Sequence, residues 1–153
     1  MFWDNENTTT EFFQTYPNNS YVMSPYDYYY LDCGFGNKYG QTGSWCDPMK
    51  TWARIYSFEP SLYNNGGKGI IGSEVPIWSE IKSDQSVHEK IWPRAAAMSD
   101  KLWGPLDNST DYLVGVARRQ IQFAQTISER GIPASHITGR WCEIYPERCF
   151  AKA

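Results

Sequence analysis

Apolar residues recur at spacings of three and four at Leu113, Val116, Ala117, Ile121, Ala124 and Ile127, and this stripe predicts a helix over about 110–130. Ser109 or Thr110 stands where a cap belongs, Asp111 favours the N-terminus, and Gly131 ends the helix. A second helix is predicted from Pro93 to Trp103, with proline suited to the first turn and Gly104-Pro105 as the stop. Met49, Trp52, Ala53 and Tyr56 carry the same period over 48–56, and Thr8 to Thr15 forms a short helix around Phe12 and Phe13. Strands are predicted at Tyr21–Ser24, stopped by Pro25, and at Ile70–Val75, while Phe2-Trp3 reads as the end of a third. Residues 17–20 form a turn, the glycine-rich stretch Gly34–Pro48 a loop, Glu59–Gly69 a loop, and Ser83–Lys90 a polar loop and helix entry. Strands alternating with helices define a parallel α/β architecture. Three strands are too few to close a barrel of eight.

The chain has 153 residues, the size of one domain, and shows no internal repeat or interdomain linker. Its net charge of −3 gives no basic field toward nucleic acid. No apolar run is long enough to span a membrane. Aromatic residues make up 16% of the chain, with 11 Tyr and 7 Trp. Such residues pair a flat apolar face with a polar edge, which suits either a saccharide-binding surface or an aromatic core. Four cysteines lack metal-ligand spacing and permit three pairings; Cys142 lies a short interval from Cys149, and Cys33 and Cys46 bracket the glycine-rich stretch. Asn7-Thr8-Thr9, Asn18-Asn19-Ser20 and Asn108-Ser109-Thr110 are N-glycosylation acceptor triplets. Met1-Phe2-Trp3 runs directly into polar residues, without the basic and apolar regions of a signal peptide. The expectation is an internal or C-terminal piece of a longer extracytoplasmic protein, secreted or lysosomal/vacuolar. His88 and His136 have no partner at ligand spacing and are assigned neither to a metal nor to catalysis, and no cofactor is expected.

The chemistry concentrates in two motifs. Gly72-Ser73-Glu74-Val75-Pro76-Ile77-Trp78-Ser79-Glu80 places a tryptophan two residues from a carboxylate, and Ile91-Trp92-Pro93-Arg94-Ala95 follows. An indole covers the apolar face of a pyranose while a carboxylate accepts from its hydroxyls. Upstream stands Tyr28-Tyr29-Tyr30-Leu31-Asp32-Cys33-Gly34. In order and spacing these segments resemble the end of the catalytic domain of glycoside hydrolase family 20, the β-N-acetylhexosaminidases. Ser73 replaces the family's second glycine, and Ser99-Asp100 stands where the family usually has Ala-Glu.

The resemblance implies that residues 1–153 are part of a catalytic barrel domain, about strands six to eight and their helices of a TIM-type (β/α)8 barrel. It implies hydrolysis of terminal N-acetyl-hexosamine residues, N-acetylglucosamine or N-acetylgalactosamine, from chitooligosaccharides or glycans. In that chemistry the substrate's own acetamido oxygen attacks the anomeric carbon, an exception to the two-carboxylate scheme. Tyr30 matches the tyrosine that donates to that oxygen, and Asp32 matches a carboxylate on outer hydroxyls. Trp78 matches a wall of the acetamide pocket and Glu80 the carboxylate on the C4 and C6 hydroxyls. Trp3 matches a further pocket tryptophan. Taken alone, Tyr30 reads equally as a core aromatic, Asp32 as the start of a turn, Trp78 as core and Glu80 as a solvated charge. The resemblance favours a Cys142–Cys149 disulfide, leaving Cys33 with Cys46, and implies an amino-sugar oligosaccharide substrate and a homodimer of the full enzyme. The family's general acid is a Glu directly after an Asp, and no Asp-Glu dipeptide occurs in this chain. The acid is therefore expected in a missing N-terminal part of the same domain, and the alternative is a noncatalytic carbohydrate-binding or structural remnant.

Overall fold

The computed structural model of the protein describes residues 1–35, 45–79, 83–104 and 111–150. They form two compact units, Met1–Ile81 and Lys82–Ala153. Asn108 and Glu80 lie outside the described residues.

The first unit contains helix α1 (Glu6–Thr15), strand β1 (Tyr21–Met23), α2 (Tyr26–Tyr29), α3 (Trp52–Tyr56), a 3-10 turn at Pro60–Leu62, α4 (Asn64–Gly67) and strand β2 (Ile70–Ser73). β1 pairs with β2 in parallel, Tyr21 against Ile70 and Met23 against Ser73. On its other edge β1 makes a parallel bridge from Met23 to Phe2. The stub predicted at Phe2-Trp3 is thus the third member of a parallel set, held by Phe2 N donating to Val22 O at 2.9 Å. Parallel strands place the segments that follow them at one end of the sheet. Trp3, the 24–32 segment and the 74–79 segment therefore share that end. Beneath it Phe2, Phe12, Phe13 and Tyr21 pack ring on ring, the Phe13 and Tyr21 centroids 4.6 Å apart. Tilted and edge-on aromatic pairs of this kind contribute about 0.5–1.5 kcal/mol each beyond the area they bury.

Several elements differ from expectation. Helix α3 begins at Trp52 rather than Pro48, because Thr51 accepts from Arg54 N through its hydroxyl and caps the helix there. The loop expected over Glu59–Gly69 contains the 3-10 turn, whose start is capped by the Glu59 carboxylate accepting from Ser61 N, and the single turn α4. The segment after Pro25, to which the sequence reading assigned no element, turns once as α2, its residues Tyr28 and Tyr29 buried.

The second unit is helical: α5 (Val87–Ile91), α6 (Arg94–Trp103), α7 (Tyr112–Glu129), α8 (Arg140–Ile144) and α9 (Pro146–Phe150). Val116, Ala117 and Ile127 of the predicted α7 stripe are buried, joined by Gln120. Asp111 precedes α7 without a side-chain cap bond, and Ser109 and Thr110 lie outside the described residues. Gly131 closes the helix in the left-handed region at φ 82°, with Ile132 N bonded back to Ile127 O. Across α6 and α7, Arg119 Nε donates to both Asp100 oxygens at 3.0 Å. Arg94, 8% exposed, donates through Nε to Lys90 O at 3.0 Å. The interval between Cys142 and Cys149, expected as a tight loop, is instead the end of α8 and most of α9. The two cysteines are disulfide-bonded, and so are Cys33 and Cys46. Among the described residues no helix is long and apolar enough to cross a membrane.

Candidate functional site

The site is built at the end of the parallel strands in the first unit. Leaving β1, the chain turns through α2 and delivers Tyr30 at its C-terminus. Leaving β2, it runs extended to Trp78. Leu31 N donates to Pro76 O at 2.9 Å and ties the two exits together. The Tyr30 and Trp78 rings consequently lie 6.4 Å apart. Tyr30 is 5% exposed, whereas Trp78 is 50% exposed, so a buried ring lies beside a half-exposed indole.

A second exposed indole beside Tyr30 is that of Trp45, a residue the sequence reading did not assign. Its ring lies 6.0 Å from Tyr30 at 88° and 5.1 Å from Tyr26, and it is 67% exposed. The Cys33–Cys46 disulfide puts it there by bonding its neighbour Cys46 to the turn that carries Tyr30 and Asp32. Tyr26, Tyr30, Cys33 and Cys46 form one cluster. A signal existed in the sequence: a tryptophan directly before the cysteine that pairs next to Asp32.

The electrostatics suit a neutral, hydroxyl-bearing ligand. Burial pushes the Tyr30 phenol above the ordinary tyrosine value; a hydrogen bond with the Trp78 side chain works against this, and the carboxylates of Asp32 and Glu74 add to it. Tyr30 is therefore a protonated donor at neutral pH. Asp32 Oδ1 is buried and has no hydrogen-bond partner among the described residues. An acceptor left in that state costs about 1–3 kcal/mol, which a hydroxyl arriving with a ligand relieves. Asp32 also lies within 4.8 Å of the Cys33 and Cys46 sulfurs. Because those sulfurs are joined in a disulfide they offer no thiolate, and the set does not fit a soft-metal site.

Trp3 shares this end of the sheet but not the cluster. Its carbonyl accepts from Tyr26 N at 3.2 Å, while its side chain, 52% exposed, lines an open cavity of about 410 Å³ with Asp4, Glu11, Phe12 and Tyr16. Asn18 is exposed in the turn between α1 and β1. His136, left without a role, sets Nδ1 2.6 Å from Glu143 Oε1 in the second unit.

The sequence model of glycosyl hydrolase family 20, catalytic domain, matches residues 1–106. The chain belongs to that family. Beta-hexosaminidase 1 of Coccidioides posadasii is 30% identical, the alignment covering 84% of this chain and 26% of that protein. A chitooligosaccharidolytic beta-N-acetylglucosaminidase of Ostrinia furnacalis is 29% identical over 85% of this chain and 22% of its own length. Among solved structures, the N-acetyl-beta-hexosaminidase of Streptomyces plicatus in complex with Thio-NAglucal shares the fold at a TM-score of 0.68 and 21% identity, over 86% of this chain and 28% of that one. The chain thus spans about a quarter of the relatives it matches.

Proposed function

We propose that residues 1–153 supply the C-terminal part of the catalytic barrel of a β-N-acetylhexosaminidase, about strands six to eight with their helices. The observation that supports this reading is a buried Asp32 oxygen without a partner among the described residues, two positions from a protonated Tyr30 whose ring meets the exposed indoles of Trp78 and Trp45. The indoles of Trp78 and Trp45 cover the apolar faces of an N-acetyl-hexosamine. Tyr30 donates to the acetamido oxygen as that oxygen attacks the anomeric carbon, and holds it in line. Asp32 and Glu80 accept from ring hydroxyls, and Trp3, at the same end of the strands but with its side chain in the neighbouring cavity, is given a sugar contact on the family resemblance alone. The leaving oxygen takes its proton from a general acid that this chain lacks, having no Asp-Glu dipeptide. A longer polypeptide provides it. Two disulfides and three acceptor triplets, at Asn7, Asn18 and Asn108, fit an oxidising setting, secreted or lysosomal/vacuolar.

The test compares this chain with the intact natural product. The product should be several times longer by intact mass and should hydrolyse an aryl N-acetyl-β-glucosaminide, while the 153-residue chain alone does not. A natural product of only this length that binds chitooligosaccharide without cleaving it would establish the noncatalytic reading instead.

A further inference from the structure

The end of the sheet opposite the sugar site is built around a solvent-facing turn. Tyr16-Pro17-Asn18-Asn19 carries the chain from α1 into β1, closed by Asn19 N donating to Tyr16 O at 3.3 Å. Proline suits the second position of such a turn, its φ already fixed. The hydroxyl of Tyr21, the first residue of β1, donates to the same Tyr16 carbonyl. One carbonyl therefore holds both arms of the turn. Every residue from 14 to 20 is exposed, while Phe13 and Tyr21 on either side are buried with their rings packed edge to face. A well-anchored base thus presents the whole of Asn18-Asn19-Ser20 to solvent.

The acceptor triplets are not equivalent. An N-glycan needs the asparagine amide and the hydroxyl two residues on, with no proline between them. In Asn7-Thr8-Thr9 that hydroxyl belongs to Thr9, which is 1% exposed and donates to Asn5 O at 3.2 Å from within α1. The group this triplet requires is enclosed by the fold. In Asn18-Asn19-Ser20 both the asparagine and the serine are exposed. We propose that Asn18 carries an N-linked glycan and is the preferred acceptor over Asn7. The donor is an oligosaccharide on a lipid pyrophosphate. Asn18 Nδ2 bonds to the anomeric carbon of its first sugar, and the bond from that carbon to the pyrophosphate oxygen breaks. The pyrophosphate leaves with the electron pair, and one amide proton passes to a base. This inference rests on the secretory setting proposed above. Because β1 runs from Tyr21 toward Met23 and the sugar site follows Met23, a glycan at Asn18 stands at the far end of the strand from Tyr30 and Asp32.

Peptide mass spectrometry on the intact natural protein tests it. Digestion with a peptide N-glycosidase in heavy-oxygen water converts a glycosylated asparagine to a labelled aspartate. Asn18 should be labelled in most molecules and Asn7 in a smaller fraction. A bare Asn18, or label at Asn7 equal to or above that at Asn18, overturns the proposal. A second, unreduced digest of the same sample tells the two failures apart. A bare Asn18 with Cys33 bonded to Cys46 means that the assignment of the site is wrong in a secretory protein. A bare Asn18 with free thiols means that the secretory setting has fallen as well. Asn18→Gln in the intact enzyme, produced in a secreting eukaryotic host, should lose one glycan from the intact mass and keep the wild-type kcat and KM. An unchanged mass would show that Asn18 was never occupied, and a raised KM would contradict its place at the far end of the strand. The labelling result judges Asn18 whether or not the enzyme hydrolyses its substrate.

Discussion

The ring of Tyr30 meets the indole of Trp45 edge to face, 6.0 Å between centroids and 88° between planes, although neither lies near the other in sequence. What allows the approach is a lack of side chain at Gly34. A Cβ on that residue would sit 2.2 Å from Met49 N, and the backbone there has φ 84°. The turn after Tyr30 and the segment after Trp45 are in contact through bare backbone.

Gly34→Ala should therefore destabilise the protein on two counts: about 1–2 kcal/mol from a left-handed backbone that now carries a Cβ, and about 1–3 kcal/mol from overpacking against Met49. Denaturant unfolding with the disulfides intact measures the sum. A change below about 0.5 kcal/mol would mean that the two segments do not touch in solution.

Tyr30→Phe in the intact enzyme should lower kcat by about 10²–10³-fold with a much smaller rise in KM. On the proposed mechanism the hydroxyl bond strengthens only as the acetamido oxygen becomes a nucleophile, so its loss should appear in the transition state. Steady-state kinetics on an aryl N-acetylglucosaminide decides it, and a kcat within about threefold of wild type would remove Tyr30 from the mechanism.

Alkaline pH should weaken the fold. Burial raises the pKa values of Tyr29 and Tyr30 above the ordinary 10.0. Below pH 10 both phenols are protonated in the folded and unfolded states alike, and this contribution to stability is complete. Above it the unfolded chain releases protons that the folded chain retains, so the stability is lost as pH rises toward the folded-state values. Denaturant midpoints should fall as the pH rises above about 10, and the fall should be smaller in Tyr29→Phe. An absorbance titration in which every tyrosine of the native chain ionises together near 10 would contradict it.

Replacing Cys142 and Cys149 by serine should cost about 2–3 kcal/mol, the chain-entropy value for so short a loop. α8 and α9 have five residues each, and helices that short do not persist on propensity alone. Far-ultraviolet circular dichroism should report a small loss of helix together with the lowered unfolding midpoint. Unchanged stability would show that the bridge merely decorates two helices already held by packing, with Arg118–Glu147 at 3.3 Å among their contacts.

Elements whose signal is local or periodic were legible before folding was considered. The α7 stripe, the Gly131 stop, the parallel order of the strands and the motifs around Tyr30 and Trp78 are written in neighbouring residues, and each forms where those residues stand. The one-turn helix α2 and the pair α8 and α9 were not legible. A segment of four or five residues has no period to read and becomes helical only when tertiary contacts and a disulfide hold it. Trp45 was hidden for a different reason. Its place beside Tyr30 exists only after Cys33 has found Cys46 and Gly34 has met Met49, and four cysteines permit three pairings. Covalent linkage and close backbone approach between distant segments are properties of the folded chain, and they brought an unremarked tryptophan against Tyr30.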